Sequence, residues 1–295
     1  MKRIFLTFDI DPDFFFLKNK KFSWQGLEKG IKNLYKKLFK KFNTKIKITW
    51  FLRIDEEIEC YYGSLDYLYH KYFDIIKFIK SNNGVIGIHP HLVKKLKSGH
   101  CTNELNDELN LRQLNKIFNI SKNLKLIDPQ IVRIGNFHFS QKILDFLIKK
   151  KVKIDSSSFP GRKDFLWMNS PKKPFFFESK YAISKKFLDK KKFLIEVPVT
   201  TYKVKAEYDK KEFTRYLDLS VKNKLFKKYL KTINFKSNNF ICLSHPGNLV
   251  KFKNIDHGLL DFDINNYINN LILMMDKIYL HEKKKIIFEN FYYFK

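Results

Sequence analysis

The sequence predicts an α/β protein folded as one closed or nearly closed β/α barrel. Three observations carry this expectation. Short apolar runs of strand length alternate about seven times with longer stretches of helical periodicity, the pattern of a parallel sheet wound with crossover helices. No Gly/Ser/Pro linker and no repeat of fixed period divides the 295 residues, so a single domain over 1–295 is expected. Side chains able to do chemistry fall at strand ends, the face on which such barrels gather function.

The elements follow in order. Arg3–Phe8 (RIFLTF) is a buried-strand run ending in carboxylates. Gly26–Phe42 has Leu27, Ile31, Leu34 and Leu38 at helical spacing with lysines between them. Ile46–Leu52 is a second strand, Leu65–Ile79 a helix with an aromatic face, and Gly84–Ile88 a third strand ending at His89. A helix over Leu105–Phe118 precedes a strand at Gln130–Ile134. A helix at Gln141–Lys149 then leads to the strand Val152–Ile154. An irregular loop or insertion at about 156–192 carries Pro160, Pro171, Pro174 and the triplet Phe175–Phe177, whose rings are candidates for stacking on a ligand or for lid packing. Regularity returns with the strand Phe193–Thr200, a Lys-rich helix at Arg215–Leu230 and the strand Phe240–Leu243. The helix Asp263–Leu280 and the strand Lys285–Phe291 end the chain.

Composition excludes several classes. With 44% hydrophobic residues and 31 Phe, the chain has more apolar surface than a disordered segment. No apolar run reaches the roughly 18 residues needed to cross a bilayer. No signal-peptide apolar region fits behind Met1-Lys2-Arg3, so a cytoplasmic protein is expected. The net charge of +28 comes from 52 lysines and only six arginines. Bidentate recognition of phosphate and guanine favours the arginine fork, so specific nucleic-acid binding is not expected. The lysines travel with Asn, Ile and Phe, as AT-rich coding produces, and fit a solvated surface that permits peripheral association with an anionic membrane. Cys60, Cys101 and Cys242 form no CxxC pair and fit reduced thiols.

Asp9 and Asp11, two apart at the end of a strand, present both carboxylates to one side. His89-Pro90-His91 repeats that geometry with two imidazoles, and the residue before a proline is held extended. Two His and one Asp with open positions suit a hydrolytic zinc or similar divalent ion. Arg133 ends the fourth strand in a chain that otherwise uses lysine, which points to a guanidinium paired with a carboxylate. Asp155 and His245 end two further strands. Each residue alone has a bland explanation: an Asx cap for Asp9 or Asp155, a surface role for Arg133, a core imidazole for the histidines. Their arrival at successive strand ends is what discriminates. His70, His100, His138, His257 and His281 lack such partners, and His100 is kept as a spare ligand.

These residues resemble, in order and spacing from Ile4 to about Asn290, the polysaccharide deacetylase (NodB-homology) family. The resemblance implies a distorted (β/α)7 barrel. Thr7-Phe8-Asp9 matches the family's first-strand motif. It implies Asp9 as general base and Asp11 as metal ligand, although the family's aspartates are adjacent and Ile10 separates these, which leaves open which carboxylate does which. His89 and His91 match the family's further ligands, two apart instead of four. Arg133 matches an arginine that tethers the base, followed here by Gly135-Asn136 where the family has proline. Asp155 and His245 match a later Asp and a near-C-terminal His that serves as general acid. Trp50–Asp55 and Leu194–Pro198 are similar to a branch found among surface-polysaccharide biosynthesis proteins. The implied activity is removal of an N-acyl group from a sugar that is free, nucleotide-linked, lipid-linked or polymeric, with one divalent ion, zinc by preference.

Two other classes compete. A strand followed by Asp-x-Asp also opens the haloacid-dehalogenase-type phosphatases, which need a later acidic motif that the sequence lacks. A catalytically inactive barrel that binds carbohydrate or a polyanion would use the same scaffold without turnover.

Overall fold

The computed structural model describes residues 1–13, 17–18, 21–97, 101–138, 140–161, 184–189, 192–252 and 256–294. Most of the expected irregular segment at about 156–192, with Phe175–Phe177, lies outside these residues, as does His100. Seven parallel strands form the barrel wall. In chain order they are Lys2–Ile10, Ile48–Leu52, Val85–Ile88, Ile131–Val132, Ile154–Asp155, Lys192–Glu196 and Asn239–Ser244. Strands one to six pair in sequence order, and the seventh lies on the other side of the first. Ile286–Phe288 runs parallel to the start of strand one, and Ser184–Asp189 lies antiparallel to strand six.

Between strands six and seven the wall is closed by irregular chain. Thr200 N donates to Ile241 O at 3.0 Å, Leu217 N to Thr200 O at 2.7 Å, and Leu243 N to Leu217 O at 3.0 Å. The expected strand Phe193–Thr200 therefore ends as a ladder at Glu196. Its last residues bridge the gap, and this distorts the barrel.

Period-two alternation sorts the first strand. Ile4, Leu6, Phe8 and Ile10 pack outward in the layer shared with the helices, while Phe5 points inward with Phe51, Val85, Ile131, Ile154, Ile195 and Ile241. Burying such side chains is worth roughly 1.5–3 kcal/mol each. Thr7 and Asp9 share the inward face of Phe5, so the barrel interior turns from apolar at its floor to polar at its mouth. The outer layer includes helices Ile31–Phe42, Asp107–Ser121, Gln141–Lys149 and Ile264–Glu282. Three of these start on side-chain caps, Asn106, Ser140 and Asp263, which satisfy orphan N–H groups. No described helix is long and apolar enough to cross a membrane.

Two expected helices differ. Leu65–Ile79 is broken at Tyr72 into Tyr67–Lys71 and Phe73–Ser81; the turn brings the Tyr72 hydroxyl to Glu28 at 3.1 Å. The Lys-rich helix covers only Asn223–Tyr229. Arg215 instead lies in a hairpin of Thr201–Val204 with Phe213–Tyr216, where its guanidinium pairs with Asp209. A helix there would separate those two charges.

Candidate active site

The first strand delivers Thr7 and Asp9 inward and Asp11 just beyond its end. Arg133 reaches them from the end of strand four. Its Nη1 donates to Asp9 Oδ1 at 2.8 Å and to Thr7 Oγ1 at 3.0 Å, and its Nη2 to Ser156 Oγ at 2.9 Å. The guanidinium carbon lies 4.2 Å from the centre of the Phe51 ring, so the cation rests on the apolar floor and faces carboxylate above. Arg133 is completely buried. Burial weakens its hold on the proton, and Asp9, Asp155 and Glu196 oppose that shift.

Strand three places the two imidazoles. His89 N donates to Leu52 O at 2.8 Å, and the ring Nδ1 lies 2.7 Å from Arg133 O, which assigns the proton to Nδ1 and turns the Nε2 lone pair to the mouth. His91 Nε2 is 3.2 Å from His89 Nε2. Asp11 Oδ1 is 3.5 Å from His91 Nε2, and Asp11 Oδ2 is 3.7 Å from His89 Nε2. A tetrahedral ion with bonds of about 2.1 Å holds its ligands about 3.4 Å apart. Asp11, His89 and His91 each bring a ligand atom within 4.8 Å of the others, and they form the one such cluster among the described residues. Two imidazoles and a carboxylate suit zinc or a similar divalent ion, so the residues present fit the group.

Gly135 makes the i, i+2 histidine pair workable. A Cβ at residue 135 would overlap the imidazole of His91. Gly135 N also donates to Pro90 O at 2.8 Å. The glycine that stands after Arg133-Ile134 is thus the room in which His91 sits.

Three neighbours escaped the sequence analysis as site residues. Arg53, buried directly after strand two, donates to Asp11 Oδ1 at 3.0 Å and to Glu57 Oε2 at 2.7 Å, and grips Asp55 with a second edge of its fork. Asp55 in turn accepts from His91 N at 3.2 Å and caps helix Glu56–Tyr62 through Ile58 N. One buried cation therefore fixes the Asp11 carboxylate and, through Asp55, the His91 backbone. The third is Asp218, which accepts from Ser244 Oγ at 2.6 Å, Ser220 N at 2.8 Å and Asn248 Nδ2 at 3.1 Å. The scarcity of arginine was the available signal for Arg53; Asp218 lies at no strand end and offered none.

His245, at the end of strand seven, has Nε2 at 3.4 Å from Asp11 Oδ2. Burial alone would lower its proton affinity, but Asp11, Asp9 and Asp218 raise it above the ordinary value of 6.5. The carboxylates whose charge bears most on His245 are Asp11, Asp9 and Asp218. Asp155 is buried at the end of strand five, accepts from Ser157 N at 3.1 Å and acts on Arg133. Asp11 shows the opposite balance. Burial would raise its carboxyl, and the imidazoles of His91, His89 and His245 hold it well below the usual carboxylate range. His91, desolvated and facing Arg53, drops to about 3, which leaves it neutral with a lone pair free for a metal.

No family model and no curated protein matches the sequence. Solved structures do match the fold. A Mycobacterium smegmatis protein assigned as a polysaccharide deacetylase superposes with a TM-score of 0.56 and 12% identity, over 99% of this chain and 87% of that one. A Bordetella bronchiseptica protein assigned as a polysaccharide deacetylase of O-antigen biosynthesis gives 0.42 and 12%, over 92% and 90%. A 4-α-glucanotransferase from Thermococcus litoralis gives 0.48 and 10%, over 99% of this chain and 40% of that one. The first superposition and the seven-stranded wall agree, and the chain has the polysaccharide-deacetylase fold, a distorted (β/α)7 barrel.

Proposed function

We propose that the protein is a metal-dependent hydrolase that removes an N-acyl group from a carbohydrate. The observation that carries this is the convergence of Asp11, His89 and His91, with ligand atoms within 4.8 Å of one another, beside an Asp9 carboxylate held by buried Arg133. Asp11, His89 and His91 would hold a divalent ion, zinc by preference, which would supply Lewis-acid polarisation and lower the pKa of the attacking water toward ~7. Asp9 then takes a proton from the attacking water. Arg133 keeps that carboxylate aimed through the hydrogen bond from Nη1 at 2.8 Å. His245 gives its proton to the departing amine, and its raised proton affinity suits an acid at neutral pH. Asp155 acts from below by setting Arg133, and Ser156 fixes the other edge of the fork.

The resemblance of Trp50–Asp55 and Leu194–Pro198 to a surface-polysaccharide branch supports a place in surface polysaccharide or glycolipid biosynthesis, in the cytoplasm. Arg53, Asp55 and Glu196 from those segments all border the site, with Glu196 Oε1 accepting from Ser158 N at 3.0 Å. The phosphatase alternative gives no role to the three imidazoles around Asp11. Acetate release from N-acetylated saccharides, measured with Asp9→Asn and with chelated protein, tests the proposal. Loss of release in both, with metal content kept in Asp9→Asn, is expected; release that survives chelation would contradict it.

A further inference from the structure

The ladder between strands one and seven ends where Phe8 pairs with Ser244, so His245 is the first residue past the sheet. Its carbonyl accepts from Asn248 N at 3.0 Å, which closes the turn Pro246–Leu249 behind it. Asn248 Nδ2 donates to Asp218 and grips that turn from one side. On another side the turn lies against the opening of the helix that follows strand one. There a π-helical turn, Gly26–Gly30, leads into Ile31–Phe42.

Two glycines stand four apart in this opening turn. Glycine weakens a helix relative to alanine, and π-helical turns are rare and frequently mark functional sites. Backbone angles do not call for glycine at residue 30, whose φ of −66° and ψ of −44° are those of an ordinary helix. Room does. A Cβ at residue 26 would overlap the backbone of Pro246 and Gly247, and one at residue 30 would lie 3.0 Å from Pro246 O and 3.3 Å from Leu249 Cβ. Gly247 is as tightly placed, since a Cβ there would lie 2.9 Å from Asp13 Oδ1. Asp13 in turn accepts from Gly26 N at 3.0 Å, from Gln25 N at 2.6 Å and from Ser23 Oγ at 2.7 Å. It stands two residues after Asp11, so the chain that carries Asp11 and the chain that carries His245 are fastened together at Gly26.

We infer that Gly26 is a positioning residue for the general acid: its missing side chain seats the Pro246–Gly247 backbone and, with Asp13, sets His245 beside Asp11. The inference rests on the hydrolase proposed above and adds the part of the fold that places its acid. Two observations separate this role from ordinary helix packing. The apolar packing of the opening turn is supplied by Leu27, which is buried in the core. The atoms nearest a Cβ at residue 26 all belong to the backbone of the two residues after His245, and backbone cannot rotate aside as a side chain does. A methyl group there must push the turn, and with it the imidazole whose Nε2 lies 3.4 Å from Asp11 Oδ2. Misplacing a reacting group by about 1 Å can cost on the order of 10²-fold in rate.

The test uses the full chain with Gly26→Ala and Gly30→Ala, metal-free for spectroscopy and loaded with zinc for kinetics. Nuclear magnetic resonance of isotope-labelled histidine follows each imidazole, with His245 assigned by its loss in His245→Gln. The Tyr216 ring, its centroid 6.4 Å from that of His245, makes this resonance sensitive to displacement. In Gly26→Ala the His245 resonance should move while those of His89 and His91 stay. Zinc affinity should hold within about twofold, and kcat should fall by about 10–100-fold at a KM within about twofold. Gly30→Ala, with its wider clearance, should show the same pattern at smaller size, and it decides the matter if Gly26→Ala does not fold. An unmoved His245 resonance in the deciding variant, or shifts of His89 and His91 as large as that of His245, would overturn the inference. A moved His245 resonance in a chain that releases no acetate would remove the hydrolase and leave the seat. Acetate release at an unchanged kcat in Gly26→Ala would remove the seat and leave the hydrolase.

Discussion

Arg133 Nη1 donates to Asp9 Oδ1 at 2.8 Å across 124 positions of sequence, and both side chains are buried. The guanidinium stands on the Phe51 ring, so water has no access from below. Arg133→Met should lower the rate of deacylation by on the order of 10²–10⁴, because the proposed base loses the hydrogen bond that orients it. It should also lower stability by about 3–5 kcal/mol, since Asp9 is left as a buried charge without its partner. Steady-state kinetics and urea unfolding check the two parts separately.

Arg53 is the corresponding support for the proposed metal ligands. Its contact with Asp11 and its hold on Asp55, which accepts from His91 N, set two of the three ligands. Arg53→Gln should weaken zinc binding by about 10–100-fold, the usual effect of removing a group that orients a ligand. Calorimetric titration of metal-free protein with zinc measures this without any activity assay. Affinity equal to that of the unaltered chain would assign Arg53 to folding alone.

Gly135→Ala places a Cβ inside the His91 ring. The ring must move, so zinc affinity should fall, and overpacking should cost about 1–3 kcal/mol of stability. A variant with unchanged thermal midpoint and unchanged zinc affinity would show that His91 lies elsewhere in solution.

The pH profile reports His245. Its folded proton affinity is raised above 6.5 by Asp11, Asp9 and Asp218 against burial. The acid form is present below that raised value and is lost as pH rises through it, so the basic limb of kcat should lie above pH 6.5. Asp218→Asn removes one of the three raising charges and should move that limb to lower pH. A limb that stays in place would separate Asp218 from the acid.

Much of the site was legible because its signals are local. Asp9 with Asp11 and His89 with His91 are read from period-two alternation at strand ends, and Arg133 from its rarity among lysines. The supports were hidden because they depend on chain closure. Arg53, Asp55 and Glu57 look like a capped helix start until strand one brings Asp11 against them. Asp218 gains its meaning from Ser244 and Asn248, 26 and 30 residues away. The hairpin around Arg215 carries its own alternation, with Tyr202 and Val204 buried and Lys203 and Lys205 exposed. Four residues of it weigh little beside the lysine-rich helix that follows. Gly135 could be placed only once His91 was seen to need its missing Cβ.

The central claim is that Asp11, His89 and His91 hold one ion. An anomalous difference map at the zinc edge, from crystals of the full chain grown with zinc, tests it most directly. The account predicts one strong peak per chain, with His89 Nε2, His91 Nε2 and a carboxylate oxygen of Asp11 at about 2.0–2.2 Å. No peak at these residues, or a peak held by other side chains, would contradict it.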